Sequence, residues 1–232
     1  MAIFTYWDGD PAEIAGFVAD WTAAGIAMTI YGPAEVAACL RAFAPGADDM
    51  FARIRIAAAR SDLARLALLY TYGGLYVDAH TGAPDLRALM LAFAQLAKYE
   101  LVAFMIPPSP DSPIPEELVN GAICARARAP RIAICLEDVI GNLRRHLAAE
   151  EQSGGHVSYN LAAMTGAWVL RLRWFRMDRQ DLVLREELAE RIGLCRLYQE
   201  VPPFRFYQHY GYRRAGQHWS ERQAVERLFA HG

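Results

Sequence analysis

Asp78 and His80 close the segment Ser61 to His80, SDLARLALLYTYGGLYVDAH, and a carboxylate and an imidazole two residues apart can together hold a divalent cation. Side chains two apart on a strand point the same way, so the pair would project together where an apolar strand meets a loop. At the other end of the segment, Asp62 and Arg65 stand one helical turn apart on one face. From Leu66 to Val77 no residue is charged, and both the helix and the strand of this stretch read as buried. Manganese and magnesium take oxygen ligands, but manganese accepts imidazole readily, so Asp78 with His80 suits manganese better than magnesium. The plain alternative for His80 is a loop histidine with no metal.

The elements that must carry these residues follow from the same stretch. Ser61 is suited to cap a helix, and Asp62 suits its positive N-terminal end. Gly73-Gly74 stops that helix through a left-handed conformation, and Leu75 to Val77 forms a short interior strand that delivers Asp78 and His80. Upstream, Ile3 to Trp7, Pro11 to Ala24, Ile26 to Tyr31 and Pro33 to Phe43 alternate as strand, helix, strand and helix. This is the rhythm of a parallel sheet covered by helices.

Downstream, the pattern predicts a helix over Asp85 to Ala97, a strand over Leu101 to Ile106, a proline-rich loop over Pro107 to Pro115 and a strand over Leu118 to Cys124. A long helix from Pro130 to Ala149 ends near a Ser153-Gly154-Gly155 break, and Tyr159 to Thr165 reads as helical. Asp181 to Ile192 reads as a helix, Cys195 to Tyr212 as extended, and Glu221 to Ala230 as the last helix. Strands would then dominate the first half and helices the second.

Ser61, Asp62, Arg65, Gly73, Gly74, Tyr76 and Asp78 together resemble the shared segment of the DXD-motif sugar transferases, which include the yeast initiating mannosyltransferases and the clostridial glucosylating toxins. One position departs: His80 stands where that family's motif has its last acid. Further echoes appear in order. Phe4 to Trp7 is similar to the family's first strand, Leu118 to Cys124 to its Asn-containing segment beside the donor sugar, Met164 to Ala167 to its Thr-Gly-Pro turn, and His218-Trp219-Ser220 to its C-terminal element. Ala167 replaces the proline of that turn.

The resemblance implies an α/β fold of the GT-A type, in which a mixed, mostly parallel sheet is flanked by helices. A single domain over 1–232 is expected, with nucleotide-sugar binding mainly in 1–125 and the acceptor side and site closure in 126–232. The implied activity is retaining transfer of a sugar from a UDP- or GDP-sugar to a glycan or glycolipid, as in polysaccharide or lipopolysaccharide assembly. It is expected to depend on Mn2+ or Mg2+. Asp78 would touch the donor and the metal, His80 would be the more direct ligand, and His218 could complete the shell.

The resemblance further implies that Asp62 and Arg65 bind the donor sugar; the plain alternative is a surface ion pair worth roughly 0.2–0.5 kcal/mol. The helix they begin is otherwise apolar, and buried charges need partners, for which sugar hydroxyls and a diphosphate oxygen are suitable. Trp7 fits either a base-stacking platform or the core, and Tyr76 fits either the site or a core aromatic with a bonded hydroxyl. Asn120, Thr165, Gly166, Trp219 and Ser220 enter as substrate-binding candidates by resemblance alone. An alternative reading is a non-catalytic relative that keeps nucleotide or glycan binding.

The 232 residues, 54% hydrophobic, suffice for a substantial core, and the charge of −2 from 24 basic and 26 acidic residues argues against binding a nucleic-acid backbone. Lys98 is the only lysine. Cys39, Cys124, Cys135 and Cys195 form no Cys-X-X-Cys pair and read as reduced, buried thiols. There is no Ser-His-Asp order, Walker loop or His-Glu-X-X-His element. The start of the chain lacks a basic region followed by an apolar core, and no uncharged run reaches the roughly 18 residues of a membrane span. A cytoplasmic protein is expected, with room for peripheral attachment to an inner membrane. Arg171 to Arg179 could touch anionic lipid, although a solvated helix face is the better reading of that stretch alone.

Overall fold

The computed structural model of the chain describes residues 2–83, 86–106, 116–178, 181–196, 204–206 and 218–230. In chain order these form β1 (Ile3–Tyr6), α1 (Ala15–Ala23, after a 3-10 turn at Pro11–Ile14), β2 (Thr29–Tyr31), α2 (Pro33–Phe43), α3 (Ala47–Arg53), α4 (Ala57–Tyr72), β3 (Gly74–Val77), β4 (Thr81–Gly82), α5 (Leu86–Gln95), β5 (Leu101–Ile106) and β6 (Glu117–Ala125). They continue with α6 (Pro130–Ser153), α7 (Leu161–Met164), α8 (Ala167–Trp174), β7 (Phe175–Asp178), β8 (Asp181–Leu184), β9 (Ile192–Arg196), β10 (Arg205–Phe206) and α9 (Trp219–Arg222).

The central sheet runs β2-β1-β3-β6-β5-β9. The pairs of β1 with β2, β1 with β3 and β5 with β9 are parallel, and β6 is antiparallel to both β3 and β5. This mixed α/β sheet, mostly parallel and flanked by helices, is of the GT-A-like type. Its two faces bury two separate cores, and the side-chain period of two sorts β3 between them. Tyr76 packs with Phe4, Leu63 and Leu66 under the helices on one side, while Leu75 and Val77 pack with Trp21, Leu89 and Phe104 on the other.

The junction of α4 and β3 depends on Gly73, whose φ of +63 suits glycine and whose absent Cβ would lie 2.3 Å from the Ala127 nitrogen. Its ψ of 175 makes this an extended turn, not the left-handed helical cap expected from the sequence. Helix α4 begins at Ala57, with Ile56 before it. Ser61 is therefore not its cap, and Asp62 lies in the second turn, because Ala57 to Arg60 extend the helix backwards.

Other expectations also give way. Asp181 to Ile192 is not a helix: Leu182 and Leu184 pair with Met177 and Phe175 in the β7–β8 hairpin, a 3-10 turn covers Glu186–Leu188, and β9 follows. The last helix stops at Arg222, and Phe229 instead bridges to Ile54. Helical residues outnumber strand residues in the second half as expected, but they do so in the first half as well, so strands do not dominate there. The predicted loop 107–115 and most of 195–212 lie outside the described residues. All four cysteines are buried thiols outside any disulfide. Among the described residues no helix is long and apolar enough to cross a membrane.

Candidate functional site

A cleft of ≈ 520 Å³ opens at the C-terminal ends of β1 and β3, roofed by Trp219 and Arg222 of α9. Asp62 and Arg65 reach it from α4, which is apolar around them and leaves both side chains buried. Arg65 donates from Nη1 to Asp62 Oδ1 at 2.7 Å and from Nη2 to Asp78 Oδ1 at 2.8 Å. One guanidinium thus serves two carboxylates. Two acids, Asp62 buried and Asp78 half-buried, share one cation and leave a net negative charge that can attract a further cation.

Each acid is then fixed by neutral donors. Asn120 Nδ2 donates to Asp62 Oδ1 at 2.9 Å, and the Thr165 hydroxyl donates to Asp62 Oδ2 at 2.9 Å. Tyr76 OH donates to Asp78 Oδ1 at 3.1 Å. Because the Tyr76 proton is used there, the 3.0 Å contact with Ser61 Oγ requires Ser61 to be the donor. Tyr76 also stacks beneath the Arg65 guanidinium, 5.0 Å from its ring centre.

The surroundings split the two acids. Burial pushes Asp62 above the usual carboxylate range, more than Arg65 and its two neutral donors pull it down. Burial pushes Asp78 the same way, but Arg65, His80 and the bond from Tyr76 win, and the net shift is down. Burial, with Arg65 nearby, lowers His80 despite the attraction of Asp78, so its imidazole is neutral near pH 7.

Strand alternation does not bring Asp78 and His80 together, as expected from the sequence, because β3 ends at Val77. A turn does so instead: the Thr81 N–H donates to Asp78 O at 2.9 Å, and Asp78 N–H donates to Gly121 O at 2.8 Å. Trp21, fully buried, donates its indole N–H to Thr81 O at 2.7 Å and pins the turn from below.

Of the sequence candidates, Trp7, Asp62, Arg65, Asp78, His80, Asn120, Gly166, His218 and Trp219 line the cleft. Thr165 and Tyr76 stand behind Asp62 and Asp78, and Ser220 is exposed and in contact with His218 Nδ1 at 2.6 Å. Trp7 sits at the end of β1 with its indole N–H on Asp10 O at 3.0 Å. Sequence reasoning did not single out Trp21 or Gly121 and placed Ser61 as a cap. Gly121 directly follows Asn120, and a Cβ there would lie 2.7 Å from Asp78 Oδ2.

Among the described residues no group of three or more His, Cys, Asp or Glu side chains is placed to hold a metal. Arg65 and Tyr76 both use Asp78 Oδ1, however, which leaves Oδ2 to join the neutral His80 on the same wall. That donor set fits a cation shared with phosphate oxygens and water better than a cage built from protein alone.

Residues 33–83 match the family model described as glycosyltransferase sugar-binding region containing DXD motif. The match runs from α2 into β4 and covers Asp62, Arg65, Tyr76, Asp78 and His80. It supports placing the chain in a DXD-motif glycosyltransferase family, and with it a sugar-binding function of the glycosyltransferase type. No curated protein matches the chain.

Proposed function

We propose that this chain is a metal-dependent, retaining glycosyltransferase that moves one sugar from a UDP- or GDP-sugar to a hydroxyl of a glycan or glycolipid. The observation that carries the reading is the Asp62–Arg65–Asp78 network on the cleft wall, inside the segment that matches the family. Arg65 and Asp62 orient the donor sugar, with Asn120 and Thr165 holding Asp62 in place. Trp7 offers its ring to the base, and His218 with Trp219 closes over the donor. Asp78 and His80 would hold Mn2+ or Mg2+, which would neutralise charge on the departing diphosphate.

No described residue of the cleft stands out as a nucleophile held by a base. Front-face transfer needs none, because the departing phosphate takes the acceptor proton while the protein positions both partners and excludes water. Residues 1–125 then form the donor side of one domain and 126–232 the acceptor side, in a cytoplasmic protein.

The test is titration of the purified chain with UDP, GDP and their sugars, with and without manganese, followed by assay of donor hydrolysis. A ligand at 100 times its dissociation constant raises stability by about 2.7 kcal/mol, easily read as a thermal shift. No binding and no hydrolysis of any donor would sink the proposal. His80 favours a second reading, a non-catalytic relative, since it stands where the family motif has an acid. That reading requires nucleotide binding that ignores manganese. His80→Asp separates the two: in a working enzyme it moves metal preference from manganese toward magnesium.

A further inference from the structure

Helix α8 joins two surfaces. Its first residue, Ala167, and the preceding Gly166 line the cleft, while Trp168, Leu172 and Arg173 face solvent and Val169 and Leu170 face the core. Trp168, Leu172 and, on β7, Met177 are 51%, 67% and 57% exposed. Trp168, Arg171 and Leu172 share one helix face by their spacing of three and four. Residues 167–177 contain three arginines, Arg171, Arg173 and Arg176, and no acid.

Charge decides what this face suits. Arg173 is chelated by Asp138, and Arg176 stands 4.0 Å from Asp178. Arg171 makes no ion pair with the described residues. A second cavity of ≈ 270 Å³ lies beside Leu172, walled by Arg131, Arg173 and Arg185 against the acid Glu187. Arg185 donates to Leu172 O at 3.1 Å and likewise has no ion pair with the described residues. An exposed indole and two apolar side chains among arginines match an interfacial surface, in which apolar groups enter the acyl boundary and cations meet anionic headgroups.

We propose that the α8–β7 face docks on an anionic membrane surface and so presents a lipid-linked acceptor to the adjoining cleft. The lipid-linked acceptor rests on the transferase reading, but the docking does not. A headgroup hydroxyl must reach the cleft while its acyl chains stay in the bilayer, and the lip beside Ala167 is where both conditions can be met.

Cosedimentation with phosphatidylcholine vesicles, with and without phosphatidylglycerol, tests it. The wild-type chain should pellet with the anionic vesicles only, with a blue shift in tryptophan emission that Trp168→Phe removes. Arg171→Glu with Arg176→Glu should weaken binding by about tenfold or more. Trp168→Ala with Leu172→Ala should also weaken it, and since none of these four residues lines the cleft, both pairs should leave donor hydrolysis in solution unchanged. Failure of the wild type to pellet, or equal pelleting of all variants, overturns the proposal. A stable dimer in light scattering that Trp168→Ala with Leu172→Ala converts to monomer overturns it too, by assigning the face to a second copy of the chain. Vesicle binding without any donor hydrolysis would leave docking intact and remove the transferase reading instead.

Discussion

Arg65 is the residue on which the cleft turns, because a buried guanidinium with two carboxylate partners fixes where both carboxylates point. Asp78→Ala should abolish manganese-dependent donor binding and turnover. It should also cost about 3 kcal/mol of stability, since it leaves the buried cation with Asp62 alone. A chemical denaturation curve and a hydrolysis assay check both, and wild-type turnover in this variant would remove Asp78 from the site. Gly121→Ala acts on the same carboxylate without touching its charge: the added methyl must displace Asp78 Oδ2. Donor hydrolysis should fall by about 100-fold, on the scale of a 1 Å misplacement in a catalytic group; unchanged hydrolysis would mean Oδ2 has no required position. The register of Ser61 to Asp78 made Asp62, Arg65 and Asp78 legible in the sequence, whereas their support was only half legible. Asn120 and Thr165 were named by resemblance, yet their bond to Asp62 spans 58 and 103 residues. Trp21 leaves no trace at all, because an indole bonded to a backbone carbonyl imposes no pattern on its partner.

The element that closes the cleft is held from a distance. Glu150 near the end of α6 is fully buried and accepts the Leu228 and Phe229 N–H groups at 2.7 and 3.1 Å, while Arg55 N–H donates to Leu228 O and Ala230 N–H to Arg53 O, both at 2.8 Å. His146 Nε2 and Arg227 Nε stand 3.2 and 3.5 Å from the same carboxylate. This clamp sets the footing of α9, which carries Trp219 and Arg222 over the donor side. Glu150→Ala should therefore destabilise by about 3–5 kcal/mol, the range for removing one partner of a buried ion pair. Nucleotide affinity should fall as well, because α9 loses its anchor; full affinity in a variant with a lowered Tm would show that the roof is held by other contacts. The sequence suggested neither feature. An acid at the end of an amphipathic helix reads as solvated, and Glu221 to Ala230 reads as helical until its backbone N–H groups find Glu150 and residues 53–55 instead. Asp181 to Ile192 fails for the same reason, since Leu182 and Leu184 fit a helix pattern but are claimed by pairing with β7.

Across the whole molecule, the strand-helix alternation of the first half was legible because each parallel unit is local in the chain. The insertion of β6 between β3 and β5 was not, because antiparallel pairing over such separations depends on which faces remain to be covered. Two histidines, His146 buried on α6 and His80 half-buried on the cleft wall, couple the fold to pH by their titration. Burial lowers His146 more than the adjacent Glu150 raises it, and burial with Arg65 nearby lowers His80. Both therefore take a proton at lower pH in the folded chain than in the unfolded chain, where each does so near its ordinary value of about 6.5. Between the lowered folded values and about 6.5 the unfolded state binds more protons, so stability rises with pH across that window. Their contribution is complete above about pH 6.5 and is lost as the solution is acidified toward the folded values. Each unit of separation is worth about 1.4 kcal/mol per histidine. Urea unfolding of the metal-free chain from about pH 7.5 to about pH 5 should show the loss, and His146→Gln should flatten part of the slope while keeping a hydrogen-bonding group beside Glu150. A wild-type chain whose stability stays level or increases on acidification through this range would mean that His146 carries its proton in the folded state, held there by the Glu150 carboxylate.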